Sequence, residues 1–192
     1  REISALGGIP GMVMVEPCCP EEVGPLLDWC IEQHKGPSFL RLASMPYATE
    51  VELPKNYAPK QGCGLLVKEG KNGAFIAAGL LAVSEALDAA KRLSAKGLDY
   101  AVAALPWLNV VDEGWLLDLA RRHPVLVTVD NHYRVGGQGQ HVLACLATLG
   151  VENRVLSIGL EDTPPSGGVD EVLAHLRLDG DGLAQRVLGF DR

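Results

Sequence analysis

No apolar run in these 192 residues is long enough to cross a bilayer, so no transmembrane helix is expected. The start REISALGG has neither a charged leader region nor a long apolar stretch, and it predicts no secretory signal. Clustered basic charge is also missing. Lys and Arg number 17 against 24 Asp and Glu, for a formal net charge of −7, and the only tight basic pairs are Lys91-Arg92 and Arg121-Arg122, both on helical patterns. A nucleic-acid surface needs cations gathered on one face, so that partner class is excluded. The five cysteines, at 18, 19, 30, 63 and 145, are odd in number and lack CxxC spacing, and the neighbours Cys18 and Cys19 cannot bridge without strain. Neither a disulfide scaffold nor a metal site is implied; Cys30 and Cys145 read as small apolar helix residues. His34, His123, His141 and His175 have no ligand spacing either. These absences predict a cytoplasmic chain, and 47% hydrophobic residues with 21% charged suffice for one large or two small cored domains.

What is present concentrates between Leu126 and Val142, in LVTVDNHYRVGGQGQHV. An apolar strand runs into Asp130, Asn131, His132 and Arg134, and then Gly136, Gly137 and Gly139 form a turn that opens a helix. This describes the carboxyl end of a strand in an open α/β sheet, where ligand or interface groups gather. The glycines permit backbone angles and close approaches that a Cβ would block. GGQGQH is not a dinucleotide fingerprint, because five residues separate the strand from the glycines, and the next strand, VLSIGL, ends in Glu161 with no first-unit context. The glycines therefore serve either tight packing of a helix on its strand or a subunit contact.

Along the chain, REISALGGI reads as a helix end, MVMVEP as a buried strand, PEEVGPLLDWCIEQH as a helix and SFLRLA as a second strand. Pro20, Glu21 and Glu22 suit a helix start. Two parallel strands cannot cover both of their faces, so residues 1–45 look incomplete. The proline-bearing stretch at 46–62 has no helix or strand period and reads as a linker. Residues 63–192 then begin with two apolar runs around Gly70-Lys-Asn-Gly73, a hairpin signal that predicts an antiparallel edge. Four strand-then-helix units follow, which imply a parallel sheet with right-handed crossovers. Ala82 or Ser84 is expected to start one helix that Gly97 closes, Asp112 to cap the next, and Asp181 to cap the last. Trp115, Leu116 and Leu119 fall on one apolar face and are assigned to the core.

Taken in order, IPGMVMVEPCCPEEV, GPSFLRLAS, AFIAAGLLAVSEALDAAKRL, PWLNVVDE, VTVDNHYRVGGQGQHV and PPSGGVDEVLAHLRLDGDGLAQRV resemble the transketolase family of thiamine-diphosphate enzymes over the whole chain. The resemblance implies that 1–45 is the end of a pyrimidine-binding domain and 63–192 a transketolase C-terminal domain. The fold expected is three-layer α/β, with a mostly parallel sheet and one antiparallel edge strand, preceded by a partial α/β pyrimidine-domain segment. Split transketolases are the nearest in pattern, with deoxyxylulose-phosphate synthases and beta subunits of 2-oxoacid dehydrogenases as neighbours. The activity implied is transfer of a two-carbon ketol unit between sugars; the alternatives are acyl transfer by a 2-oxoacid dehydrogenase-like enzyme and a non-catalytic association domain. Thiamine diphosphate and Mg²⁺ would serve the intact enzyme, held by parts upstream of Arg1. This stretch is expected to bind neither, since Gly180-Asp181-Gly182 lacks the Asn of the family's metal motif.

Partners implied are an upstream thiamine-binding domain or subunit and a second copy in a homodimer. Where the family places a serine-arginine pair for a sugar phosphate, this chain reads LRLASMP, with Ser44 at the arginine position. Arg cannot be replaced by Ser as a bidentate fork. Arg41 is then either a substrate contact that reaches around or a strand residue paired with a carboxylate. His132 is a substrate candidate because imidazole titrates near neutrality. The family resemblance also assigns Asp130, His132, Arg134, Gly136 and Gly137 to an interface with the rest of the dimer.

Overall fold

The computed structural model describes residues 1–45, 47, 49 and 51–190. After α1 (Glu2–Leu6), the strands β1 (Val13–Val15) and β2 (Ser38–Leu40) pair in parallel. Between them runs α2 (Pro20–Asp28), which continues as a π-helical turn over Trp29–Gln33. Pro20 occupies its first turn with Glu21 and Glu22, as the sequence predicts.

The main sheet has five strands in the order β3 (Leu65–Lys68), β5 (Tyr100–Ala104), β4 (Gly73–Ala77), β6 (Val125–Tyr133) and β7 (Arg154–Leu160). All pairs are parallel except β3 with β5. The antiparallel edge is therefore present, but the Gly70–Gly73 hairpin is not: β5 lies between β3 and β4. The amides of Lys71 and Asn72 both donate to the Asp99 carbonyl, at 2.9 and 2.8 Å, so the turn crosses over the start of β5. A Cβ on Gly70 would lie 2.3 Å from the Ala101 nitrogen, so the crossing leaves no room for one.

Strand side chains alternate between two cores. Phe75, Ala77, Val102, Val127 and Val129 face α3 (Gly79–Ser94), α6 (Val169–Leu176) and α7 (Gly180–Phe190). Ala74, Ile76, Ala101, Ala103 and Leu126 face α4 (Glu113–Arg122) and α5 (Gln138–Leu149). That period of two, buried on both sides, gives the three layers of a covered parallel sheet. Asp112 caps α4 by accepting from the Trp115 amide at 2.8 Å, and Leu116 and Leu119 are buried as assigned, with Trp115 half-buried against the same core. Two expected boundaries need correction. α3 starts at Gly79, ahead of Ala82 and Ser84, because Gly79 takes φ +77° and turns the chain straight out of β4. Asp179, rather than Asp181, caps α7, its Oδ1 accepting from the Gly182 amide at 3.0 Å.

The first segment is laced to the second along β1. The Leu108 amide donates to the Met14 carbonyl (2.8 Å), the Glu16 amide to the Pro106 carbonyl (2.9 Å), and Asn109 bridges the Met12 carbonyl and Met14 amide, both at 2.9 Å. Trp29 meets the fully buried Trp107 edge-on, with ring centroids 4.6 Å apart. β1 is thus flanked on one side by β2 and on the other by residues 106–109.

Candidate functional site at the junction of β4 and β6

β4 and β6 are adjacent parallel strands whose connections diverge: β4 leads through α3 to β5 on one side, and β6 through α5 to β7 on the other. The crevice beyond their carboxyl ends is the place where open α/β sheets bind ligands. Here it holds side chains of the first segment. The Glu16 carboxyl lies against Gly79, where a Cβ would come within 2.3 Å of its Cδ and Oε1. Arg41 donates from Nη1 to Glu16 Oε2 (2.8 Å), from Nη2 to the Asn131 carbonyl (3.1 Å), and from Nε to Glu2 Oε1 (2.8 Å). One guanidinium therefore ties α1, the end of β1 and the end of β6 together. Burial raises the pKa of Glu16 above the usual carboxylate range, against the attraction and hydrogen bond of Arg41.

Asp130 sits beneath the start of α5, accepting from the Gly139 amide at 3.0 Å. With 4% exposure its pKa is pushed up to about 7, by burial first and against the Gly139 and Gln138 amides and Arg41. The glycines of the turn have separate reasons. Gly137 lets Asp130 Oδ1 approach, since a Cβ there would be 2.7 Å away; Gly136, at φ +73°, abuts Ser4 of α1. Ser4 Oγ also donates to the Val135 carbonyl at 3.1 Å, so α1 is docked on this turn.

The His132 ring is buried, with Nδ1 2.8 Å from the Tyr133 carbonyl and Nε2 without a hydrogen-bond partner among the described residues. Burial lowers its pKa, so the imidazole is neutral at pH 7. Arg134 turns away to the exposed Glu161, at 3.8 Å. Of the residues singled out in the sequence, Arg41, Asp130 and Gly137 gather at the crevice and Gly136 at the α1 contact, whereas Arg134 lies outside. Glu16, Gly79 and Gln138 carry no local sequence signal for the places they take here. Buried Gln138 donates from Nε2 to the carbonyls of Leu105 and Trp107 at 2.8 and 2.9 Å, fixing the end of β5 to α5.

The groups present do not fit a thiamine diphosphate or Mg²⁺ cradle. Among the described residues no three of His, Cys, Asp and Glu converge as metal ligands. The Gly180–Gly182 stretch is committed internally, with Asp181 bonded to Gln185 and 3.6 Å from Arg92, and Gly180 packed on Asp88. Cys18 and Cys19 are buried free thiols whose pKa values are raised by that burial. No helix among the described residues is long and apolar enough to cross a membrane.

Comparison with known proteins gives a match to the family model "Transketolase, C-terminal domain" over residues 62–183. The 1-deoxy-D-xylulose-5-phosphate synthase of Thermotoga petrophila is 30% identical over 98% of this chain and 30% of its own length. That of Syntrophotalea carbinolica is 35% identical over the same shares. The chain thus spans about a third of the length of the curated relatives it matches. Among solved structures, a split-gene transketolase, described as an inactive β4 tetramer, superposes with a TM-score of 0.84 at 24% identity, over 100% of this chain and 62% of that one. Transketolase from Campylobacter jejuni gives 0.70 at 16% identity, over 98% of this chain and 28% of that one.

Proposed function

The chain belongs to the family of transketolase C-terminal domains, and on that premise we propose that it is the docking and scaffold part of a thiamine-diphosphate-dependent enzyme that transfers a two-carbon unit to a sugar acceptor. The observation that carries this reading is the Glu16–Arg41–Asn131 junction. It fills the crevice in which this sheet would otherwise receive a ligand, so the contribution of the sheet is to fix the first segment, and what the first segment supports, in one orientation. In this reading residues 1–45 end a pyrimidine-binding domain and 63–192 form the C-terminal domain, joined by 46–62. Arg41 and Asp130 are positioning residues, and neutral His132 holds the β6 turn. Partners are an upstream thiamine-binding domain or subunit and a second copy of the assembly, with the cofactor and Mg²⁺ seated on the upstream part. The cofactor supplies the carbanion chemistry.

The intact assembly should transfer a ketol unit from a ketose to an aldose only when thiamine diphosphate is present. A second reading has specific support in the name of the 30–35% identical relatives, and it makes the product 1-deoxy-D-xylulose 5-phosphate. Product analysis of the reconstituted assembly separates the two. Turnover that is indifferent to thiamine diphosphate, or acyl transfer to a lipoyl carrier without sugar products, would overturn both.

A further inference from the structure

Away from the junction, a cavity of about 270 Å³ opens beyond the carboxyl end of β7, between the loop that follows it and the α6–α7 corner. Arg177, Arg186, His175, Thr163, Glu161 and Asp162 contribute to its walls. Arg186 is half-buried, yet among the described residues its one hydrogen bond runs from Nη2 to the Leu176 carbonyl at 3.3 Å, and no carboxylate of those residues lies within ion-pair distance of it. A guanidinium carries five donors, so most of this fork is unspent. Arg177 closes α6 at φ +56°, the only non-glycine with positive φ among the described residues. A Cβ on Gly182 would come within 2.6 Å of the Arg177 Cα, so α7 packs directly against that backbone. The position would suit glycine, and what arginine adds there is a second guanidinium on the cavity wall, bonded among the described residues only to Gln185 at 3.5 Å.

Two guanidiniums and His175 share the lining with Glu161 and Asp162, and Glu161 also lies 3.8 Å from Arg134. Arg177 and Arg186 line this one cavity together with Thr163. Burial first, and then the fields of Arg177 and Arg134, lower the hold of Arg186 on its proton, with Glu161 opposing. Paired guanidinium forks with a hydroxyl are suited to a phosphate group.

We propose that this cavity is a binding site for a small phosphate-bearing anion, either inorganic phosphate or the phosphate of a small ester, separate from the β4–β6 junction and independent of the reaction assigned to the assembly. The test is calorimetric titration of the full chain with inorganic phosphate and with glycerol 3-phosphate, against sodium chloride at matched ionic strength. Saturable phosphate binding that weakens at least tenfold in both Arg177→Gly and Arg186→Gln, and is unchanged in Arg122→Gln on α4, is expected. Glycine readily adopts the left-handed angle at 177, so Arg177→Gly keeps the fold and decides the matter if Arg186→Gln is unstable. Tighter binding of glycerol 3-phosphate assigns the site to an ester, tighter binding of inorganic phosphate to the free ion. Heats no larger than those of chloride, or equal affinity in the wild type and Arg177→Gly, would overturn the proposal.

Discussion

Asp130 shows what a single side chain does at this junction. An unfolded aspartate titrates near 3.9, so a folded pKa of about 7 means that the native state holds its proton through an interval in which the unfolded chain has lost it. Stability from this group is then greatest below about pH 4, falls as pH rises toward 7, and is flat above, by on the order of 4 kcal/mol in all. The sign is opposite to that of a surface carboxylate held by a cation. Asp130→Asn keeps an acceptor for the Gly139 amide and removes the titration. Its melting temperature should therefore rise relative to wild type between about pH 5 and about pH 7.5. Thermal melts of both proteins across that range check this, and parallel curves would mean that the Asp130 carboxyl is not held protonated by its burial.

At the scale of elements, α3 begins where it does because Gly79 solves two problems at once, a positive φ and the approach of Glu16. Gly97, at φ +82° with open space around its missing Cβ, has only the first problem. Alanine at 97 should cost about 1 kcal/mol from the left-handed backbone, and alanine at 79 should cost that plus the displacement of Glu16, on the order of 2 to 4 kcal/mol in total. Combining Gly79→Ala with Glu16→Ala should recover part of the loss. Chemical denaturation of the four variants measures it, and additive effects would argue against a direct contact.

The alternation of strands and helices after residue 63 was legible because period-two apolar runs and cap residues are local signals. The Gly70–Gly73 turn misled for the same reason: Asn-Gly chemistry suits a tight turn whether or not a third strand later slips between the two it joins. Glu16 was illegible, since an acid at a strand end has no meaning until Arg41 and Gly79 are placed beside it. Arg41, by contrast, carried both readings in the sequence, and the structure shows its guanidinium spent on two carboxylates and a carbonyl.

On the scale of the whole molecule, the apolar surface is distributed unevenly. Of the six large hydrophobic residues left exposed among those described, Ile9, Leu27, Ile31, Leu42 and Met45 belong to the first 45, and the sixth, Val135, lies on the turn that receives α1. Ile31 and Leu42 are 68% and 61% exposed, before and after β2, which pairs, among described residues, only with β1. The five-stranded sheet is covered on both faces and needs no partner, whereas this segment presents apolar surface and a free strand edge together, a combination that associates or is capped by further chain. The isolated chain should therefore sediment above its monomer mass of 20.5 kDa at micromolar concentration. Leu27→Lys on α2 with Ile31→Lys on the π-helical turn that follows it, both exposed, should shift it toward the monomer while leaving the main-sheet core and its far-UV spectrum intact. A wild-type chain that stays monomeric as concentration is raised, with the first segment protected from proteolysis, would show that residues 1–45 are satisfied by the contacts of β1 with residues 106–109 alone.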